Sequence, residues 1–289
     1  MIRLRKLMRR AVGAHSPRHS GPADQSGILP TNAFEDYESR PPSIQNCIDA
    51  IPGWNSQFPP EYDVVAGNRV PFLDDRILWA IERFGGVAGA DVLEIGPMEG
   101  GHTYLLHQNG ATITAVEASK RAFLKCLVTK EITNLSRARF LLGDGVQYLE
   151  NVEKRYDLIV ACAVLYHMRD PIRFLEAAAA RTDALYVWTS YIDESALPPE
   201  QMASNRFDPM REIREFNGIS VTLYRRDYAN VYLNPDFCGG IYNEPRWMSR
   251  SSILDVLTSL GFNHLEIAHE QRPYPAEHCF SVFARRIGS

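Results

Sequence analysis

Three carboxylates fall at matching places along the chain. Glu94 closes the apolar run "VLE" just before the turn "IGPMEGG", Glu117 ends "ITAVE", and Asp144 follows "FLLG". Each run is short and rich in strand formers, and apolar residues at helical spacing follow it. Strands that alternate with helices form a parallel sheet, whose strands all end along one rim. The acids therefore share that rim, where they suit a ligand bearing hydroxyl groups and a positive centre. Gly96 and Gly100 remove side chains where the backbone bends and a ligand approaches, and the helix that follows offers free N–H groups. Glu117 comes 21 residues after Gly96, the usual spacing from such a turn to an acid that binds ribose. A dinucleotide fingerprint G-x-G-x-x-G needs glycine at position 98, where Met98 stands, and Glu99 sets a negative charge where a pyrophosphate would come near. A nicotinamide oxidoreductase is accordingly disfavoured.

A second chemical segment is "VLYHMRDP", which places Tyr166 and His167 on the loop after an apolar run. An imidazole ordinarily titrates near neutrality, so His167 is a candidate general base, with a structural role as the alternative. Tyr166 is expected to shape the pocket. Tyr224, Arg225, Arg226, Tyr228, Tyr232, Phe237, Tyr242 and Trp247 mix flat rings with guanidinium groups in an irregular stretch, residues 193–247. This mixture suits a sugar, a nucleobase or an aromatic acceptor, or forms a hairpin that only covers the sheet edge.

The elements that must position these groups are readable from periodicity. "ADVLEIG", "ATITAVEAS", "ARFLLGD", "YDLIVACAVL" and "DALYVWTSYI" read as five strands with helices between them. A helix before them spans Asp74 to Phe84, with Ile77, Leu78, Ile81 and Phe84 on one stripe. Asp170 and Pro171 open the helix "DPIRFLEAAAAR". A late helix, "SRSSILDVLTSLGF", and two strands, "HLEIAHE" and "CFSVFARRI", complete the chain. The terminal hairpin is expected to put one antiparallel strand at the edge.

The ordered set "VLEIGPMEGG", "ITAVEAS", "FLLGDG" and "YDLIVACAVLYHMRDP" resembles the class I S-adenosylmethionine-dependent methyltransferases over roughly residues 74–287. The resemblance implies an α/β, doubly wound, seven-stranded and mostly parallel Rossmann-like sheet with an antiparallel edge strand. It divides residues 38–289 into a cofactor-binding core (74–192), an inserted acceptor lid (193–247) and a terminal helix and hairpin (248–289). S-adenosylmethionine is the implied cofactor. Glu94 and the turn of Gly96, Pro97, Met98 and Gly100 would hold its methionine portion, Glu117 with the adjacent Ala118 the ribose end, and Asp144 with Gly145 the adenine. Ala163 would pass along the methionine side. No metal is implied. Met98 departs from the family, which often has a second glycine there.

"VLYHMRDP" and "YPAEHCFSVFARR" are also similar to the tRNA wobble-uridine carboxymethyltransferase family, which uses carboxylated S-adenosylmethionine. The segment "EHC" stands where that family carries basic character, so plain methyl transfer is expected instead. The tetrads D-P-P-Y and N-P-P-Y, by which many methyltransferases grip a planar nitrogen, are absent after the fourth strand. An oxygen of a small-molecule or glycan-like acceptor is the expected target. A tRNA-modifying enzyme and a non-catalytic S-adenosylmethionine-binding module are the alternatives.

Composition bounds these readings. The net charge is -4, and residues 1–23 carry six basic and no acidic side chains, which leaves the remainder near -10. A nucleic-acid enzyme would show a broad basic face, so a nucleic-acid partner is not favoured. Residues 1–12 form a basic amphipathic helix that suits an anionic membrane surface, a nucleic-acid backbone or an organelle transit signal, and otherwise a solvated tail. With the linker that follows, this arm takes up residues 1–37. Five scattered cysteines without a C-x-x-C pair argue against disulfides and zinc, and a cytoplasmic location is expected, membrane-peripheral if the arm binds a surface.

Overall fold

The computed structural model describes residues 37–193, 206–229, 239–271 and 278–288. Apart from Tyr37, the basic arm and linker lie outside these residues, as do Tyr232 and Phe237 of the lid. Everything below concerns the unit Glu38–Ser289.

The chain enters through helix α1 (Ile44–Asp49) and helix α2 (Asp75–Phe84). It then alternates β1 (Asp91–Ile95), α3 (Gly101–Gln108), β2 (Thr112–Glu117), α4 (Lys120–Thr133), β3 (Ala138–Leu142), α5 (Gly145–Asn151), β4 (Leu158–Cys162), α6 (Pro171–Ala179) and β5 (Ala184–Tyr191). Helix starts follow the capping residues. The side chains of Asp74, Ser119, Asp144 and Asp170 each accept a hydrogen bond from a backbone N–H in the first turn of α2, α4, α5 and α6, which satisfies donors that the helix cannot.

Beyond β5 come β6 (Phe207–Phe216), β7 (Ile219–Arg226), β8 (Arg246–Met248), α7 (Arg250–Ser259), β9 (His264–Gln271) and β10 (His278–Arg285). Seven strands form one sheet in the order β3-β2-β1-β4-β5-β10-β9. The first five run parallel, and β10 is antiparallel to both β5 and β9.

Period-two alternation divides the core between the two faces of this sheet. Leu93 and Ile95 of β1 and Ile159 and Ala161 of β4 pack with Leu149, Phe174 and Leu257 under α5, α6 and α7. Val92, Leu158 and Val160 pack with Ile77, Leu106 and Cys126 under α2, α3 and α4. Full burial of one Leu or Phe side chain contributes about 1.5–3 kcal/mol, so helices on both faces hold the sheet strongly. Leu78, expected on the core stripe of α2, is instead exposed.

Two expectations are corrected in detail. The antiparallel strand stands one place in from the edge, not at it, because the hairpin turns outward. In β10 every residue but the last is buried, whereas β9 alternates between half-buried and exposed positions, so β10 takes the inner place. The stretch read as irregular contains a second, three-stranded antiparallel sheet in the order β6-β7-β8. Asn217 and Gly218, with φ of 48° and 78°, make the turn between β6 and β7, the left-handed geometry of a tight hairpin. Among the described residues no helix is long and apolar enough to cross a membrane.

Candidate active site

The sheet reverses its winding at β1, whose neighbours are β2 and β4. A crevice opens at the carboxyl ends of such a pair, and this is where open α/β sheets bind ligands. The turn after β1 builds the crevice floor. Gly96 has φ +72°, and a Cβ there would lie 2.9 Å from Cγ2 of Val164, so the position excludes both a side chain and ordinary handedness. Met98 holds φ +57° without glycine's freedom. Its N–H donates to Oε2 of Glu117 at 3.0 Å, and its carbonyl lies 3.4 Å from the Cys126 thiol.

Glu117, the last residue of β2, is buried and lines the crevice. Oε1 accepts from the Ser119 N–H at 2.8 Å and Oε2 from Met98. Burial raises its carboxyl, against the lowering effect of the backbone N–H groups. An ionised carboxylate has about four acceptor positions, so capacity for further hydroxyl donors is left. Asp144 lines the crevice too, with Oδ1 capping α5 through the Val146 N–H at 2.8 Å.

Glu94 is not on the wall. It is buried beneath the turn, where Oε2 accepts from the Thr103 hydroxyl at 2.5 Å. Its Oε1 has no hydrogen-bond partner among the described residues, and burial raises its carboxyl. Gly100 likewise lies off the wall, at the amino end of α3. Gly96, Pro97, Met98, Ala118, Gly145 and Ala163 line the crevice.

Glu99 does not project its charge toward an incoming ligand as the sequence suggested. Its buried carboxylate pairs with Nζ of Lys125 at 2.8 Å and accepts the N–H of Ser56 at 2.7 Å and of Asn55 at 2.9 Å. Met98 alone therefore sets this turn apart from a dinucleotide turn.

At the other end of the crevice Ala163 follows β4 with φ +62°, and a 3-10 turn carries Leu165, Tyr166 and His167. The Tyr166 ring stacks on His167 at 4.1 Å and meets Trp247 at 5.4 Å. Nδ1 of His167 lies 2.6 Å from the hydroxyl of Tyr228. Burial, and then the nearby charge of Arg226, lower His167 to about 4, so the imidazole is neutral at physiological pH and does not titrate near neutrality as expected.

Sequence reasoning missed a polar group beside the cysteine that ends β4. Asp74 accepts from Arg76 Nε at 2.9 Å and Nη2 at 2.6 Å and lies 2.9 Å from Nε2 of His102. The Arg76 guanidinium sits 4.3 Å over Trp188 of β5. In sequence Asp74 read only as the start of a helix, and nothing there links it to Trp188. Donor atoms of Asp74, His102 and Cys162 fall within 4.8 Å of one another. Burial pushes the Cys162 thiol up to about 12, and the guanidinium already occupies the carboxylate, so the trio is poorly suited to a cation.

Glu117, Asp144, the glycine turn, Ala163, Tyr166, His167, Asp74, Arg76 and Trp188 line one cleft of 1710 Å³. It runs from Asp144 and Glu117 past the glycine turn to Tyr166, His167, Trp188 and Tyr242.

A family described as "Methyltransferase domain" matches residues 71–266. Among curated proteins, a tRNA U34 carboxymethyltransferase from Idiomarina loihiensis is 23% identical over 198 residues, which are 65% of this chain. The chain spans only 57% of that relative's length. Among solved structures, the N-terminal domain of EvdMO1 with S-adenosylhomocysteine (SAH) bound is similar with a TM-score of 0.64 and 22% identity, over 84% of this chain and 95% of that one. The same domain in the presence of SAH and D-fucose gives 0.63 and 24% over the same shares. A family match over two thirds of its length, together with the shared fold, means that the chain belongs to the methyltransferase-domain family.

Proposed function

We propose that this enzyme methylates an oxygen of a small-molecule or glycan-like acceptor. The observation that carries the reading is the size and lining of the cleft. Ligand pockets commonly measure roughly 300–1,000 Å³, so a cleft of 1710 Å³ has room for a cofactor and a second molecule together. Its far end is lined by Tyr166, Trp188 and Tyr242 with Arg76 and Arg169, and flat aromatic faces beside guanidinium groups suit the mixed polar and apolar faces of a sugar ring. The EvdMO1 domain studied in the presence of D-fucose supports the same class of acceptor.

The cofactor end fits an adenosine. Glu117 keeps acceptor capacity for ribose hydroxyls, Asp144 and Gly145 would border the adenine, and the glycine turn with Ala163 would border the methionine portion. S-adenosylmethionine supplies, when bound, a methyl group on a positively charged sulfur. The chain's own task is alignment and exclusion of water, which dominate an in-line displacement. Tyr166 and His167 would meet the acceptor.

Incubation with S-adenosylmethionine labelled in its methyl group, against separate panels of sugars, glycosides and tRNA, tests this. Label on a sugar or small-molecule hydroxyl is expected. Label in tRNA alone would favour the function of the curated relative and end the present reading.

A further inference from the structure

The region matched by the family begins at residue 71, yet part of the cleft wall comes from earlier in the chain. Trp54, Asn55, Ser56, Gly67, Asn68 and Arg69 all line it. These residues form a doubled-back loop. The Asn68 and Arg69 N–H groups donate to the Asn55 carbonyl at 3.0 and 2.8 Å, the Gly67 N–H to Ser56 at 2.8 Å, and the Gln57 N–H to Arg69 at 2.7 Å.

An apolar cluster holds the middle of the loop, where Phe58 is buried with Phe72 against Tyr104 of α3 and Val128 and Ile132 of α4, and charge fastens the end that lines the cleft. Lys125 and Glu99 are both buried, with side-chain exposures of 3% and 1%. From α4, Nζ of Lys125 donates to Glu99 and to the carbonyl of Gly53, and it stands 5.3 Å from the Trp54 ring. From the glycine turn, Glu99 accepts the N–H groups of Asn55 and Ser56. A buried charge is tolerated only when paired and hydrogen-bonded, and removing one partner is strongly destabilising. One ion pair thus joins the turn after β1, helix α4 and both ends of the segment 53–56. At the loop's other end Pro71 packs on the first residue of α3, where a Cβ on Gly101 would come within 2.8 Å of it.

We infer that residues 53–70 are a wall of the cofactor site, and that the Glu99–Lys125 pair is the pin that holds this wall over the glycine turn. Lys125 is in this sense a positioning residue: it acts on the ligand through Glu99, Trp54 and Asn55. The inference rests on the reading that the cleft holds S-adenosylmethionine.

Two variants test it from opposite sides. Lys125→Met removes the pin's cation while keeping apolar bulk. Gly67→Ala leaves the pin intact and deforms the loop, because its Cβ would fall 2.0 Å from the Asn55 carbonyl carbon. SAH is the probe, with affinity measured by calorimetry and release by stopped-flow fluorescence, on full-length variants whose circular dichroism matches the unaltered protein. Each variant is expected to weaken SAH binding about tenfold or more, chiefly through faster release, and Lys125→Arg is expected to restore much of it. If Lys125→Met fails to fold, Gly67→Ala carries the comparison. Folded variants that bind and release SAH like the unaltered protein would overturn the wall. No binding of SAH by the unaltered protein would overturn the cofactor reading itself.

Discussion

The Glu117 carboxylate accepts the N–H of Met98 at 3.0 Å, so the acid that closes β2 is fastened to the turn that follows β1. The two halves of the proposed cofactor site are thereby joined directly. Since Met98 adopts φ +57°, a conformation that costs a non-glycine residue of order 1–3 kcal/mol, this bond also helps hold the turn in place.

Glu117→Ala is expected to weaken S-adenosylmethionine binding by about 1–3 kcal/mol, the range for hydrogen bonds to a charged group. Titration calorimetry reads this directly. Affinity equal to that of the unaltered enzyme would remove Glu117 from the ribose site.

Gly96→Ala forces a side chain into a left-handed position 2.9 Å from Val164. A loss of about 1–3 kcal/mol in urea unfolding is expected, together with weaker cofactor binding. A variant as stable as the parent would show that the turn relaxes freely.

His167→Ala should cut turnover about 100-fold or more if the ring acts on the acceptor's proton. Because burial and Arg226 hold the imidazole at about 4, the neutral form that can accept a proton prevails at all ordinary pH. Activity should therefore show no imidazole limb near neutrality and should fall only as pH drops toward about 4. The same depression means that the fold loses stability as pH falls from the ordinary imidazole range through that value, where only the unfolded chain takes up the proton readily. A rate profile with an inflection near neutrality that vanishes in His167→Ala would refute the buried, neutral ring.

Glu94 supplies a contrast of opposite sign. Burial raises its carboxyl, so the folded state disfavours the ionised form, and the stability tied to the neutral acid is lost as pH rises through the raised value. Glu94→Gln never ionises. Its melting temperature relative to the parent should climb as pH is raised from acid to neutral, and a pH-independent difference would mean that folding leaves the proton affinity of Glu94 unchanged.

The parts of the molecule legible in sequence are those governed by local rules. Strands β1 to β5 and their helices follow from periodicity and from a cap such as Asp170. The rim positions of Glu117 and Asp144 follow from parallel strand ends. What escaped depends on contacts distant in sequence. Glu99 reads as a charge facing a ligand until Lys125 and the loop at Asn55 and Ser56 are seen around it. The low basicity of His167 comes from its burial and from Arg226, more than fifty residues away in the chain. The β6–β7 hairpin had a local signal in Asn217-Gly218. It was masked by β6 itself, where charges, Pro209 and exposed Met210 and Ile213 hide the apolar alternation that marks a strand.

The second sheet is joined to the main domain by hydrogen bonds from Ile192 to Met248 at 3.0 Å, Arg246 to Met168 at 2.9 Å, Arg214 to Asp170 at 2.9 Å and Thr222 to the Ser252 hydroxyl at 3.1 Å, and by Val221, Leu223 and Met248, which are buried in the main core. Of these residues Met168, Asp170, Arg214 and Arg246 line the cleft. Under the proposed function, nucleoside recognition and partner choice would draw on separate stretches of polypeptide. Replacement of cleft-lining side chains of this sheet, such as Arg214 and Arg246, is then expected to change what is modified and leave the donor's grip as it was.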